Sequence, residues 1–329
     1  MVMHQTIVAD RSASSYEQPR LYAATTRIEW PTVAVACAAY AGYIALTWFF
    51  RALPLWIAAP LCAICLTWFG SFQHETIHGH PTPWRLVNRA LASVPLSLWI
   101  PYRLYRATHL KHHRHGGRHL TDAIEDPESF YMSSGALSRC GYVRRALYGA
   151  NCTLVGRLTL GPALSVCRFW HSEIREFIAG DRRRATVWAG HVTVAALVVL
   201  WVTQVCHIPF AQYLVLIIYP SISLTHLRSF AEHRADPNPA LRTQAVECSR
   251  FLALLFLNNN LHIAHHAYPK LPWYQLPNVW RQMRGRAVNS GLVFAQGYRR
   301  VGKSYLFKPV MSVEQPAKMC ESTTRLLCK

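Results

Sequence analysis

Charge is what this chain is short of. Asp, Glu, Lys and Arg supply 16% of its 329 residues, against roughly 25% in a soluble domain. Acids are the scarcer sign: 16 of them against 35 Lys and Arg leave a formal net charge of +19. That balance disfavours an ordinary cytosolic enzyme. Low-complexity tracts are lacking too, and 51% hydrophobic content excludes a disordered chain. Ten cysteines scattered over this length do not make the dense framework of a small disulfide-stapled secreted domain. The first thirty residues hold no apolar run behind a basic start, so no cleaved signal peptide is expected. A membrane protein or a nucleic-acid binder remains. Nucleic-acid binders carry their cations on a polar folded surface, whereas here Lys and Arg vanish from several long apolar runs and crowd between them. The membrane reading follows, and nucleic acid is not expected as a partner.

A spanning helix needs roughly 20 mainly apolar residues. Residues 31–50 and 52–73 meet this on either side of Arg51, and residues 185–206 and 208–225 meet it again on either side of His207. The connections are short, so the spans pair into two hairpins, with both termini and the long loop 74–184 on one side. That loop is rich in Arg and the part after Arg228 is similarly basic, while the two hairpin turns offer only Arg51. By the positive-inside rule the loop and both termini are cytoplasmic. The basic excess is then explained by orientation and by anionic headgroups. The apolar stretch 86–100 is only about 15 residues long and broken by Asn88, Arg89 and Pro95, which predicts an interfacial or re-entrant helix rather than a fifth span. The expected organisation is a cytoplasmic N-terminal segment 1–30, a membrane domain 31–285 and a C-terminal tail 286–329. Beyond the two hairpins no internal repeat is visible. The fold class expected is an all-α integral membrane protein, four transmembrane helices in two hairpins with a cytoplasmic helical cap.

Histidine is what the chain has in surplus: 17 residues, about one in twenty, more than an ordinary composition supplies. Nine fall into three clusters on the cytoplasmic side: His74 and His78 with His80 in HETIHGH, His109, His112 and His113 in HLKHH, and His262, His265 and His266 in HIAHH. Positions i and i+4, or i and i+3, share a helix face, so His74 with His78 can grip one metal, as can His109 with His112 or His113. Adjacent residues differ by about 100° around a helix, so an HxxHH box can also address two neighbouring metals. Eight imidazoles are too many for one tetrahedral zinc and suit a pair of irons, although imidazole alone does not name the metal.

These features resemble the membrane fatty acid desaturase and hydroxylase superfamily. The resemblance rests on the three boxes in that order, on their places after the second span, in the loop and after the fourth span, on DPE at Asp126 to Glu128, and on NNNLHIAHHAYPKLPWYQLP from Asn258 to Pro277. It covers about residues 31–285. It implies two non-haem irons, O2, and electrons from an external donor, a ferredoxin or a cytochrome b5-like protein with its reductase, used to attack an unactivated C–H bond. It further implies an additional histidine ligand some thirty residues before the last box, which lands on His233 in preference to His226. Some members carry an Asn one turn before that ligand; this chain has Ser229 there. The chain has neither a GxGxxG nor an HPGG haem motif of its own, so the reductant is expected to be a separate protein.

Glu75, Asp126, Glu128 and Glu232 are candidates to hydrogen-bond the outer ring nitrogens of ligand histidines, or are surface carboxylates; Asn258, one turn before His262, is similar. His191 in the third span and His207 at the far end are expected not to reach the site, and His80, His115 and His119 to flank it. Cys62 and Cys65 form a CxxC inside the second span and read as small packing residues. A different class competes: HETIH also spells HExxH, the zinc metallopeptidase signature with Glu75 as general base, but this leaves both HxxHH boxes without a role. Within the superfamily the expected reaction is desaturation of a fatty acyl chain. The alternatives are a hydroxylase or ketolase, or the desaturation of a small natural product such as a dihydrorhizobitoxine-like amino-acid ether. Arg106, Arg114, Arg228 and Arg234 could bind a carboxylate or phosphate, or serve only orientation.

Overall fold

The computed structural model describes residues 27–316. Most of the N-terminal segment and residues 317–329 of the tail lie outside the described residues. Four helices are long and apolar enough to cross a membrane: α1 (Trp30–Trp48), α2 (Leu55–Ile77), α8 (Arg182–Val205) and α9 (Phe210–Ser229). All four expected spans are there, in two hairpins. The Asp181 side chain caps α8 by accepting from the backbone N–H groups of Arg183 and Arg184. Arg51 in the first hairpin turn donates to the carbonyl of His207 in the second at 3.0 Å, so the two turns lie together at the end remote from the histidine boxes.

α2 is the central helix. Half of its apolar window is buried inside the protein, against 17% for α8; large apolar side chains of α8 such as Leu197 and Leu200 face outward, as lipid-facing residues do. Phe69 and Phe72 of α2 pack with Tyr43 of α1, Val202 of α8 and Tyr213 and Ile217 of α9 into one core. Polar contacts tie the spans where lipid gives no hydrophobic drive for helices to associate. The Tyr43 and Tyr213 hydroxyls lie 2.9 Å apart, Trp201 donates its indole N–H to Thr47 Oγ1 at 3.0 Å, and Thr67 reaches the Ser221 carbonyl at 3.2 Å.

Short helices cap the end of the bundle where the boxes lie. α3 (Arg85–Ala92) and α4 (Tyr102–His112) follow α2. α5 (Tyr142–Asn151), α6 (Leu154–Thr159) and α7 (Gly161–Ile178) lead into α8. α10 (Arg250–Leu255), α11 (His262–Ala267), α12 (Leu276–Asn289) and α13 (Gly297–Tyr305) come after α9. The stretch 86–100 is no span: α3 stops at Ala92, and the irregular turn beyond it tucks Leu96 into the membrane core. Packing does not stop at residue 285, where a tail was expected to begin soon after. Ala245 and Val246 pair in parallel with Val293 and Phe294, and Tyr298 and Val301 of α13 are buried against Phe230 and Phe256.

Candidate metal centre

Three local devices bring the boxes together. The helix α2 runs one turn past the apolar stretch, so His74 lies in its last turn and His78 at its C-cap; the two rings stand 5.0 Å apart. The Tyr102 hydroxyl meets Thr76 Oγ1 at 2.8 Å, which ties the start of α4 to the end of α2 and sets His109 beside His78. Before α11 the chain reverses through Leu257 and Asn258, both at positive φ (47° and 55°), a conformation Asn tolerates better than most residues. Asn258 donates to the Trp273 carbonyl at 3.0 Å and Asn260 to the Val246 carbonyl at 2.8 Å. This turn delivers Asn259 and α11 to the interior.

The result is two groups of four. His74, His78, His109 and His265 form one, and His112, His233, His262 and His266 the other; within each group one ring nitrogen per residue lies within 4.8 Å of the rest. Each HxxHH box is therefore split between the groups rather than closing on one point. His113 stands between them, with its Nε2 3.2 Å from that of His265 and its ring stacked on His266 at 4.2 Å. Of the two candidates for a further histidine, His233 lies in the second group, its Nε2 3.0 Å from that of His262. His226 lies apart, against the Arg157 carbonyl and the Ser165 hydroxyl. Ser229 returns its hydroxyl to the His226 carbonyl of its own helix.

The outer nitrogens identify the tautomers. His109 Nδ1 faces Glu128 Oε1 at 2.9 Å and His112 Nδ1 faces Asp126 Oδ1 at 2.9 Å. His262 Nδ1 faces Asn259 Oδ1 at 2.9 Å, and His233 Nδ1 the Arg242 carbonyl at 3.3 Å. An acceptor at Nδ1 puts the proton there and leaves the Nε2 lone pair bare and pointing inward. The inner nitrogens of His233 and His262, both tied at Nδ1, then confront each other at 3.0 Å. Lone pairs at such distances repel unless a cation lies among them. Two nitrogens each about 2.1 Å from one ion come to about 3 Å apart, so the spacing fits a bound metal.

Burial first, then the like charge that neighbouring imidazoles would carry, pushes His262, His265 and His266 well below the ordinary imidazole range, and His113 to about 2. Neutral imidazoles bind metal without first losing a proton. His112 is the exception: burial opposes its charge, but the carboxylates of Glu128 and Asp126, with Glu232, outweigh that and push it up to about 9. Burial would raise the Glu128 carboxyl, yet His109 and His112 hold it far below the usual carboxylate range.

Glu232 lies 3.6 Å from His262 Nδ1 and 3.4 Å from Arg228. Glu75 Oε2 accepts the Trp273 backbone N–H at 3.1 Å. Its other oxygen, Oε1, lies 3.8 Å from His74 Nδ1. Asn258, singled out in the sequence, is occupied by Trp273; its neighbour Asn259 is the residue that meets His262 and also approaches His74 Nε2 at 3.3 Å. His80 is buried beside Glu29 at 2.7 Å, His191 binds the Leu98 carbonyl at 2.8 Å, and His119 is half-buried outside both groups. The side chain of His115 lies outside the described part of the structure. Cys62 and Cys65 are buried core residues of α2.

No curated protein matches this chain. The sequence model of the family described as Fatty acid desaturase does, over residues 50–298, a stretch that takes in all three boxes, the DPE loop and His233. The chain therefore belongs to the fatty acid desaturase family, within the desaturase and hydroxylase superfamily of membrane oxidoreductases.

Proposed function

We propose that this protein is an O2-dependent di-iron desaturase that introduces a C=C bond, with a fatty acyl chain as its substrate. His74, His78, His109 and His265 would hold one iron and His112, His233, His262 and His266 the other, with His113 between them. The observation that carries this reading is the pair of four-histidine groups, in which His109, His112, His233 and His262 have their outer nitrogens on acceptors. Bound iron supplies the O2 and one-electron chemistry that no side chain of this protein can perform. Two hydrogens leave adjacent CH2 groups, and O2 is reduced to two waters with two further electrons from the donor and two protons from water.

The work left to the protein is positional. Asp126 is itself held by the Thr121 N–H at 2.9 Å and receives the Glu128 N–H at 2.9 Å, so the DPE loop presents two carboxylates in fixed register to His109 and His112. Asn259 does the same for His262 from another element. Burial of His74, His109, His112, His262 and His265 keeps bulk water from the inner nitrogens. The donor is a ferredoxin or a cytochrome b5-like protein with its reductase. The histidine end of the bundle faces the cytoplasm, a reading supported by the Arg-rich sequence there against the single Arg51 at the other end.

Metal analysis with lipid and metabolite profiling tests the proposal. Two irons per chain, and a new double bond that disappears on replacing His112, His113, His265 or His266 with Ala, are expected. One zinc per chain and no iron would sink it.

A further inference from the structure

A cavity of about 540 Å³ opens directly beside the histidine groups, with His78 and His113 in its wall. Four cations share that wall: Arg85 and Arg89 of α3, Arg106 of α4 and Lys270 after α11. No Asp or Glu is among the described residues that line it. Some cations elsewhere do meet acids, Arg228 on Glu232, Arg184 on Glu173 and Arg284 on Glu247. A smaller cavity of about 210 Å³ continues between Arg89, Tyr102, Arg103 and Arg106. Four cations around one space, without a counter-charge, repel each other. Orientation across a membrane asks for basic residues on this side, but not for their convergence on the chamber that reaches the metal-binding histidines.

Guanidinium forks match planar or tetrahedral oxyanions through paired N–H donors. A chamber of this volume suits a drug-sized molecule. Its flank is α3, which exposes Trp84 and Leu86 next to Arg85, the amphipathic character of a helix lying at headgroup depth.

We propose that this cavity seats the oxyanion end of the substrate, a carboxylate or a phosphate, on Arg85, Arg89, Arg106 and Lys270. The carbons attacked then lie a few bonds from that anion, because anion and site histidines share one small chamber. The desaturase reading supplies what happens to the chain; the binding step stands without it.

Equilibrium dialysis of the purified full-length protein in uncharged detergent, under nitrogen, tests this with octanoate, octyl phosphate and octanol as probes. At least one anion is expected to bind tenfold or more tighter than octanol. The R89Q/K270Q variant is expected to weaken that anion about tenfold, the scale of losing hydrogen bonds to a charged group, with octanol binding and iron content unchanged. Both side chains are exposed, and circular dichroism reports whether the fold is intact; R85Q provides a second, independent variant. Binding of octanoate alone identifies a free acid, and of octyl phosphate alone a phosphate headgroup. Octanol binding as tightly as both anions, or R89Q/K270Q and R85Q holding them as tightly as the unaltered chain, overturns the proposal. Because no turnover is measured, an iron-free or inactive protein would refute the desaturase reading while leaving these results interpretable.

Discussion

The side chains that matter most at the residue scale are those that fix an imidazole's outer nitrogen. Asp126 and Glu128 do so for His112 and His109, and removing such a partner costs about 10- to 100-fold in metal affinity. Asp126→Asn is therefore expected to lower iron affinity within that range while leaving the helical content unchanged, as measured by chelator competition and circular dichroism. The two histidines near the end of α9 give a sharper contrast. His233→Ala removes a nitrogen from the second group and is expected to lose about half the bound iron and all activity. His226→Ala, which disturbs only contacts with Ser165 and the Arg157 carbonyl, is expected to retain iron; metal analysis of the two variants separates them. Asn259 and Asn258 form a third pair. Asn259→Ala should weaken iron binding, whereas Asn258→Gly keeps the left-handed turn and should not. The eight box histidines were legible in the sequence because metal chemistry needs them at helical spacing, and His233 only through the family resemblance. Asn259 was not, because its role depends on the reversal at Leu257 and Asn258, which no spacing rule encodes. Nor were Arg85, Arg89 and Lys270, whose convergence is set by how α3 and the loop after α11 pack.

At the scale of elements, hydropathy located all four spans but misplaced an end. Residue 73 is where apolar character stops, yet backbone hydrogen bonding carries α2 on to Ile77, since a helix needs no apolar side chains to continue past the membrane. That additional turn is what puts His74 and His78 on one face. The cap was the least legible part, because its helices are short and held by tertiary contacts rather than by a long apolar face. The junction of α5, α6 and α7 shows this. A Cβ at Gly156 would lie 1.9 Å from the Ala150 carbonyl oxygen, and one at Gly161 would lie 2.6 Å from His226 Nδ1, whereas Gly149 has nothing within 4 Å. Gly156→Ala should destabilise the protein by about 3 kcal/mol or more and Gly161→Ala by about 1 to 3 kcal/mol, the range for overpacking. Gly149→Ala in the interior of α5 should stabilise by about 0.5 kcal/mol. Thermal unfolding in detergent, followed by tryptophan fluorescence, should rank the three in that order.

At the scale of the whole molecule, two hairpins with adjoining turns define a molecule with two unlike ends. One end holds the Arg51 and His207 turns, where Arg51 donates to the His207 carbonyl. The other carries the cap, the nine histidines, the basic cavity and cations such as Arg106, Arg144 and Arg183. Charge asymmetry of this kind sets topology, because basic residues close to the ends of spans, such as Arg85, Arg89 and Arg182 to Arg184 here, resist translocation. A cysteine placed at Arg51 should therefore react with a membrane-impermeant maleimide added outside intact cells. One placed at Arg144, which is exposed on α5, should react only after the membrane is opened, with the unaltered chain giving the background from its native cysteines. The reverse pattern would put the histidine end outside, where a cytoplasmic ferredoxin or reductase could not reach it, and the proposed source of electrons would have to be abandoned along with the orientation.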